Sequence, residues 1–264
     1  MSILEAIFLG ILQGLTEFLP VSSSGHLLLF QNILGLEETP LFFSIMLHIG
    51  TLFAVFWVFR RDIFSLIRHP LSRVTRMLVL ATIPTVIFAI AFKLLLGGAF
   101  EGEYLGFGFM VTGILLYCMD FFPEGERELA QITPRDALIM GCAQGLGTLP
   151  GVSRSGSTIA GGAVTGLTRN ALARFSFLMS IPAILGALVL DIKDLDFSAV
   201  ASGELGVSWL TIIVGMIFSA AVGYVAVKWL LKLITTKSLR PFAYYTFALG
   251  FLCVVDKYIT HIVL

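Results

Sequence analysis

The residues best suited to chemistry fall in two short segments that resemble each other. Residues 13–26 read QGLTEFLPVSSSGH and residues 144–157 read QGLGTLPGVSRSGS, with seven of fourteen positions identical at a constant offset of 131. In each copy a Pro is followed by Val-Ser-x-Ser-Gly and then by a renewed apolar helix. Serine suits a helix start, glycine lets the backbone approach a ligand, and the N–H groups of a helix start bind phosphate. The two copies together predict a site for an oxygen-rich anion such as phosphate or pyrophosphate.

The first copy adds groups that could carry out a reaction. Gln13 and Glu17 are four residues apart on one helix face, and Ser23 and His26 are three apart and able to share a face. A serine needs a base to become a nucleophile, and either Glu17 or His26 could supply it. In the second copy Arg154 stands where the first has Ser23, and arginine binds phosphate with two hydrogen bonds. We therefore predict Glu17, Ser23, His26 and Arg154 as catalytic residues.

Further polar and small residues of both copies form the predicted substrate-binding set. An arginine at the bilayer centre costs roughly 2.5–3.5 kcal/mol, so Arg154 needs an anionic ligand or a partner. A purely structural ion pair with Glu17 is the alternative explanation for both residues, but it leaves the hydroxyls and glycines unexplained. The predicted binding residues are Gln13, Ser22, Ser24, Gly25, Gly151, Ser153, Ser155, Gly156 and Thr158.

The composition places these segments in a membrane. The chain has 264 residues, of which 57% are hydrophobic and 13% charged, and its 17 basic and 17 acidic residues cancel. Soluble domains carry about 25% charged residues, so this composition excludes a soluble globular domain, a disordered chain and a nucleic-acid-binding protein. The three cysteines are scattered through apolar stretches and predict neither disulfides nor a metal site. The sequence predicts an all-α integral membrane protein.

Charge-free stretches predict about six spanning helices, because a helix needs about 20 mainly apolar residues to cross a bilayer. The apolar segments 2–30 and 136–165 are instead interrupted by Pro, Gly and Ser, which membranes tolerate only beside protein or a water-filled cavity. We interpret them as two re-entrant helix–loop–helix hairpins. The six predicted spans lie near residues 40–60, 75–96, 104–122, 172–190, 208–229 and 241–262.

The loop charges predict the orientation of the chain. Loops 60–76, 166–174 and 228–240 are rich in Arg and Lys, which indicates the cytoplasmic side, whereas loops 31–39, 97–103 and 191–207 are acidic. This alternation requires the hairpins to enter from opposite sides, so the two copies form an inverted-topology repeat. We predict a single membrane domain, 1–264, whose halves 1–122 and 136–264 are joined by a cytoplasmic loop, 123–135.

The motifs QGLTEFLPVSSSGH and PGVSRSGST, at 150–158, resemble the two signatures of the undecaprenyl-diphosphatase family, also called UppP or BacA. The resemblance covers the whole chain in length, repeat, spans and motif order. It implies a multi-pass hydrolase of the bacterial plasma (inner) membrane that converts undecaprenyl diphosphate to undecaprenyl phosphate. This reaction recycles the lipid carrier for peptidoglycan synthesis and confers bacitracin resistance. It implies the lipid and the membrane as partners, and no nucleic acid.

The resemblance also implies roles for single residues. The family's nucleophilic serine falls on Ser23, its histidine on His26, and its phosphate-binding Ser-Arg pair on Ser153 and Arg154. The family's first motif begins with Glu or Gln, and here it begins with Gln13, so no pair of carboxylates is available to hold a cation. A divalent cation, Mg²⁺ or Ca²⁺, stays open as a cofactor, with Glu17 as its ligand.

Several alternatives remain at this stage. Ser23 could form a phosphoserine, or an activated water could attack phosphorus directly while Ser23 only binds phosphate. The runner-up function is a lipid-phosphate transporter or flippase, since inverted repeats with broken helices are typical of transporters. An acid-phosphatase-like lipid phosphatase matches the chain only locally. A homo-oligomer is left open, and His48 is predicted to make a helix–helix hydrogen bond rather than to take part in catalysis.

Overall fold

The computed structural model describes residues 1–36, 40–96, 102–193, 195 and 207–264. Within these ranges the chain is mainly helical. The two repeated segments, residues 13–26 and 144–157, each contain a break between two helices. The helices are α1 (Ile3–Thr16), α2 (Ser23–Ile33), α3 (Leu41–Val58), α4 (Arg60–Arg68), α5 (Arg73–Leu95), α6 (Leu105–Met119), α7 (Pro134–Leu146), α8 (Arg154–Ala163), α9 (Arg169–Lys193), α10 (Trp209–Ile234) and α11 (Arg240–Val255).

Five segments in the described ranges are long and apolar enough to cross a membrane: α3, α5, α9, α10, and α11 with its π-helical extension to Thr260. They match five of the six predicted spans. The chain is therefore a helical protein of the multi-pass membrane type. The acidic residues Glu37, Glu38, Glu101, Asp194, Asp196 and Glu204 of the predicted external loops lie outside the described residues.

The sixth predicted span, 104–122, is shorter than expected. Helix α6 has 15 residues and ends at Met119, before the predicted end at 122. The next residue, Asp120, accepts a hydrogen bond from Ser238, and its Oδ2 lies 3.2 Å from Nε of Arg240. This polar cluster ties the end of α6 to the start of α11. Among the residues that the structure describes, the long spans thus number five, and α6 is a shorter apolar helix.

A second difference concerns the basic loop 60–76. Its first part is helical, as α4, and no residue of α4 is buried. One face of α4 carries Ile63, Phe64, Leu66 and Ile67, and the other carries Arg61, Asp62 and Arg68, the pattern of a helix lying at an interface. The charges of residues 60–76 predict a loop, and the structure shows that part of this segment is helical.

Several helices from the first half of the chain pack against helices from the second half. The short helix α1 packs along α10, α7 packs along α5, and α6 packs along α11. Small residues allow these backbones to approach closely: a Cβ at Gly14 would stand 2.7 Å from the carbonyl oxygen of Ser219 on α10. Each half of the chain thereby packs its broken helix against a long helix of the other half.

Arg127 fastens the segment between α6 and α7 to the start of α7 and to the turn after α8. Its guanidinium donates to Asp136 at 2.7 and 3.0 Å and to the Thr165 carbonyl, and its backbone N–H donates to the Gly166 carbonyl. Burial disfavours the charged form of Asp136, but the hydrogen bonds from Arg127 and from Thr133 outweigh it and hold the pKa of this carboxyl below its ordinary value. The connecting segment is thus a structural part of the fold.

Candidate active site

The turn between α1 and α2 brings Glu17 and Ser23 together. Glu17 follows the last residue of α1, and the chain then reverses through residues 18–22 so that Ser23 begins α2. The Ser23 hydroxyl donates a 2.6 Å hydrogen bond to Oε2 of Glu17. Ser22, just before it, has a φ of 72°, a left-handed conformation that costs a non-glycine residue of order 1–3 kcal/mol. The strained turn therefore holds a hydroxyl against a carboxylate.

Arg154 reaches the same carboxylate from the second motif. It is the first residue of α8, and its Nη2 donates to Oε1 of Glu17, while Nη1 donates to the Ser180 carbonyl at 3.3 Å. The Glu17 and Arg154 side chains are only 4% and 17% exposed. The ion pair foreseen as a structural alternative is thus present. It joins the two motifs, and its acid is also bonded to the predicted nucleophile.

Both helix starts face one cavity of about 760 Å³. Ser22, Ser23 and Ser24 line it from α2, and Ser153 and Arg154 line it from α8. The Ser22 and Ser153 hydroxyls cap their helices by accepting from the Gly25 and Gly156 N–H groups at 3.4 and 3.0 Å. The N–H groups of a first helical turn have no partner within the helix and carry the positive end of its dipole. The predicted pair of phosphate-binding helix starts is therefore built around one space.

The opposite wall of the cavity is apolar. It consists of residues of α5 and α9 and extends to Lys93 and Asp191 near the ends of those helices. Several of its side chains are exposed, and both helices are candidate membrane spans. The cavity thus has one pole of charged and hydroxyl groups and one long apolar side. The apolar wall residues include Val86, Ala89, Ile90, Ala183, Ala187 and Leu190.

The remaining residues of the predicted binding set serve mainly to shape the two turns. Ser155 donates to the Leu19 carbonyl at 3.2 Å, which ties the second turn to the first. Thr158 donates within α8 and contacts the Ser176 hydroxyl, and it is almost fully buried. Gly151 has a φ of 82°, and its Cβ would stand 2.4 Å from the Leu105 carbonyl, so only glycine fits there. The structure places none of these three among the residues that line the cavity.

Gln13 lies behind Glu17 rather than in the cavity. Its side chain is fully buried, and its Nε2 donates to Oε2 of Glu17 at 3.0 Å. The shared helix face predicted from their spacing is confirmed by this bond. Gln13 therefore orients the carboxylate.

His26 is turned away from the Ser23 hydroxyl. Its Nδ1 bonds to the Ser22 carbonyl and its Nε2 to the Tyr245 hydroxyl, both at 2.7 Å. It lines a separate cleft that α1 and α2 form with α10 and α11, together with Trp229, Lys237 and Tyr245. The spacing of three residues is compatible with a shared face, but the bond to Ser22 rotates the ring to the other side. The groups that the structure gathers are Glu17, Ser23 and Arg154.

The surroundings of His48 differ from those predicted. His48, in the middle of α3, lines the cavity, and its Nε2 lies 3.9 Å from Oε2 of Glu17. The predicted helix–helix hydrogen bond is wrong, because Nδ1 bonds to the Ser44 carbonyl of its own helix at 2.9 Å. A lone histidine in an apolar span gives no indication of which groups will face it. Only the folded chain brings it to Glu17.

Comparison with known proteins gives the same family as the motifs. The sequence model described as bacitracin resistance protein BacA matches residues 6–252. A protein named undecaprenyl-diphosphatase from Carboxydothermus hydrogenoformans is 42% identical over 95% of both chains. Undecaprenyl-diphosphatase 4 of Bacillus thuringiensis is 41% identical over 99% of this chain and 100% of its own, and the undecaprenyl-diphosphatase of Methanobrevibacter smithii is 40% identical over the same shares. The chain belongs to the BacA family.

Proposed function

We propose that the chain hydrolyses undecaprenyl diphosphate to undecaprenyl phosphate and inorganic phosphate. The observation that carries the proposal is the Glu17 carboxylate, which accepts from the Ser23 hydroxyl and pairs with Arg154 inside a cavity with an apolar wall. The names of its relatives describe the same activity. In a bacterial plasma membrane the reaction returns the lipid carrier to peptidoglycan synthesis and lowers the amount of diphosphate lipid available to bacitracin.

The membrane arrangement is part of the proposal. Helices α1 and α7, at 14 and 13 residues, are too short to cross a bilayer, and each is followed by a break and a second short helix. These features support two re-entrant hairpins. The packing of α1 on α10 and of α7 on α5, each between the two halves of the chain, supports an inverted repeat. Halves 1–122 and 136–264 then meet at Glu17 and Arg154, with 123–135 in the cytoplasm. Labelling at Arg68→Cys, in a chain whose three native cysteines are replaced by alanine, only by a membrane-permeant maleimide in intact cells would support this orientation.

The substrate fits the two poles of the cavity. The diphosphate occupies the polar end, where the helix starts, Ser22, Ser24 and Ser153 offer donors and Arg154 offers charge. The prenyl chain lies along the apolar wall of α5 and α9. A small water-soluble phosphate ester would leave that wall uncovered, so the geometry favours a phosphate group carried on a lipid.

The chain's own residues account for the transfer of the phosphoryl group. As Ser23 Oγ bonds to the terminal phosphorus, its proton passes to Glu17 Oε2, and the bridging P–O bond breaks with its electron pair leaving on the lipid phosphate. Arg154 and the helix-start N–H groups stabilise the charge on the equatorial oxygens. Water then attacks the phosphoserine, and Ser23 Oγ recovers its proton from Glu17. Direct attack by water, with Glu17 as its base, is the alternative route.

His26 enters neither step in this scheme. It fixes the first turn by its bond to Ser22 and joins it to α11 through Tyr245. We propose it as a positioning residue, in place of the base role considered from the sequence.

The part that a divalent cation plays in the reaction can be tested. Both Glu17 oxygens are already engaged, by Arg154 on one side and by Ser23 and Gln13 on the other. This donor set does not fit a resident Mg²⁺ or Ca²⁺, which Glu17 could bind only by releasing those groups. We expect turnover to persist in EDTA and to change less than tenfold on addition of either ion. A strict requirement for one ion would return Glu17 to the role of metal ligand.

The decisive experiment is phosphate release from a short-chain isoprenyl diphosphate in detergent. We expect release by the wild type, a loss of about 10²- to 10³-fold in Arg154→Ala, and no change in Arg135→Ala, whose arginine is exposed outside the cavity. No release by folded wild type, with or without Mg²⁺, would favour the lipid-phosphate transporter. A homo-oligomer stays a prediction, to be checked by the mass of the detergent-solubilised protein.

A further inference from the structure

A second large cleft lies beside the first turn and has no role in the scheme above. Its volume is about 920 Å³, within the usual range of about 300–1,000 Å³ for ligand sites. Helices α1 and α2 form it with α10, α11 and the turn between these last two, residues 235–239. Thr16, at the end of α1, lines both this cleft and the cavity of Glu17 and Arg154. We call this space the α10–α11 cleft.

Most side chains of the α10–α11 cleft are apolar. Leu12 and Leu15 line it from α1, and Trp229 and Leu233 line it from α10. Trp229 is 47% exposed, and Tyr244, on α11, is 61% exposed. Because α10 and α11 are candidate membrane spans, the apolar groups available to cover these side chains are lipid chains. Tryptophan and tyrosine also favour the level of the lipid headgroups. The cleft therefore suits a ligand with a long apolar part.

The lysine and the arginine of the cleft lie together where α11 begins. Lys237 is in the turn before α11 and Arg240 is its first residue, and none of the described residues that line the cleft is Asp or Glu. Asp120, outside the lining, places its Oδ2 3.2 Å from Nε of Arg240. Lys237 is exposed, and the Arg240 side chain is 44% exposed. Two cations and one carboxylate leave one positive charge here, which matches a headgroup that carries one negative phosphate.

Other polar groups of the cleft already have partners. Nε2 of His26 and the hydroxyl of Tyr245 bond to each other at 2.7 Å. The Ser238 hydroxyl donates to Asp120. A phosphate group in the cleft would therefore be bound mainly by the two exposed cations at the start of α11.

We propose that the α10–α11 cleft binds one anionic phospholipid of the membrane. Its phosphate accepts hydrogen bonds from Lys237 and Arg240, and its acyl chains lie along the apolar side chains of α1 and α10. Loop 228–240 is predicted to face the cytoplasm, and the cytoplasmic leaflet supplies anionic lipids to basic residues at its surface. The bound lipid would lie against the side of the first turn that carries His26. This site is separate from the proposed diphosphate site and does not depend on hydrolysis.

The test counts the lipids that the full chain retains in native mass spectrometry. The detergent-solubilised protein is mixed with equal amounts of phosphatidylglycerol and phosphatidylcholine that carry the same acyl chains. We expect the wild type to retain one phosphatidylglycerol, with a preference of about fivefold or more over phosphatidylcholine, as for one basic residue acting on an anionic lipid. Lys237→Gln should lower that preference about fivefold, and Lys237→Glu should abolish it. Lys237 is chosen because Arg240 also holds Asp120.

Lys232 supplies the matched control. It is an exposed lysine in the last turn of α10 and does not line the cleft, so Lys232→Gln should keep the wild-type preference. Equal retention of the two lipids by the wild type, or a preference that survives in both Lys237 variants, overturns the proposal.

Two competitors identify the occupant of the cleft. Glycerol phosphate should not displace the lipid, because it lacks the chains that the apolar side chains would cover; displacement would make this a site for soluble anions and overturn the proposal. A prenyl monophosphate that displaces phosphatidylglycerol at equal concentration would make the cleft a product site and overturn it as well. Binding is measured without a diphosphate substrate, so its result is distinguishable from success or failure of the proposed hydrolysis.

Discussion

Removing both charges of the Glu17–Arg154 pair should cost less stability than the two single losses added together. The side chains are 4% and 17% exposed, which places the pair among buried ion pairs, where loss of one partner costs about 3–5 kcal/mol. In Glu17→Gln, Arg154 keeps the Ser180 carbonyl and some cavity water, so we expect a loss of about 3 kcal/mol. In Arg154→Met, Glu17 keeps its Ser23 and Gln13 donors, so we expect about 2 kcal/mol.

The double variant Glu17→Gln/Arg154→Met leaves no charge unpaired at this site. It should therefore be more stable than the sum of the single losses predicts, with a coupling energy of about 2 kcal/mol. Loss of helical circular dichroism on addition of SDS to mixed micelles gives the four unfolding free energies. The Asp120–Arg240 pair is a suitable control, because its arginine is 44% exposed, and the cycle Asp120→Asn/Arg240→Met should give a coupling below about 1 kcal/mol.

Additive losses at Glu17 and Arg154, within about 0.5 kcal/mol, would refute this reasoning, because they would mean that the two charges do not interact in the folded protein. Activity supplies an independent check. Each single variant should lose at least about 10²-fold in kcat/KM, and the double variant should lose much less than the product of the two.

Three further outcomes are expected. Ser23→Ala should lose about 10²-fold or more in kcat with its fold intact, whereas Ser65→Ala on the exposed α4 should not change phosphate release. Gly151→Ala should lower the unfolding free energy by about 1–3 kcal/mol or more, whereas a Cβ at Gly186 meets nothing within 4 Å and its alanine variant should be neutral or stabilising. Because folding lowers the pKa of Asp136, its pair with Arg127 contributes stability above about pH 4 that is lost as the pH falls through the folded pKa, and Asp136→Asn should flatten the acid limb of a stability–pH curve.

Each of these has an outcome that would contradict it. Full activity of Ser23→Ala would exclude the covalent route and favour direct attack by water. Equal effects of alanine at Gly151 and Gly186 would mean that the second turn relaxes around a side chain. An acid limb unchanged in Asp136→Asn would assign that limb to other carboxylates.

The contact between Glu17 and Arg154 could be predicted from the sequence. The copies repeat at a fixed offset, and a charge at membrane depth needs a partner, so the two motifs had to face each other. The N-caps Ser22 and Ser153 followed from residue type, because both precede a renewed apolar run. Five of the spans followed from the absence of charge.

The rest depended on geometry that spacing does not encode. The left-handed turn at Ser22 sets which way Ser23 and His26 point, and no sequence pattern predicts a serine in that conformation. Helix α6 stops early because Asp120 finds Ser238 and Arg240, which are more than a hundred residues away. His48 depends likewise on how α3 lies beside the first hairpin. These are tertiary contacts, which override local preference.

The two-poled cavity has a pharmacological consequence. A blocker can gain affinity from two separable parts, an anionic head at the helix starts and a chain along the wall of α5 and α9. Each methylene buried there is worth about 0.8 kcal/mol, so potency should rise roughly fourfold per carbon until the wall is filled and then level off. The chain length at which potency levels off would give the length of the apolar wall. Because α5 and α9 are candidate membrane spans, such compounds should reach their target by partitioning into the bilayer, and their potency should be compared at equal membrane concentration.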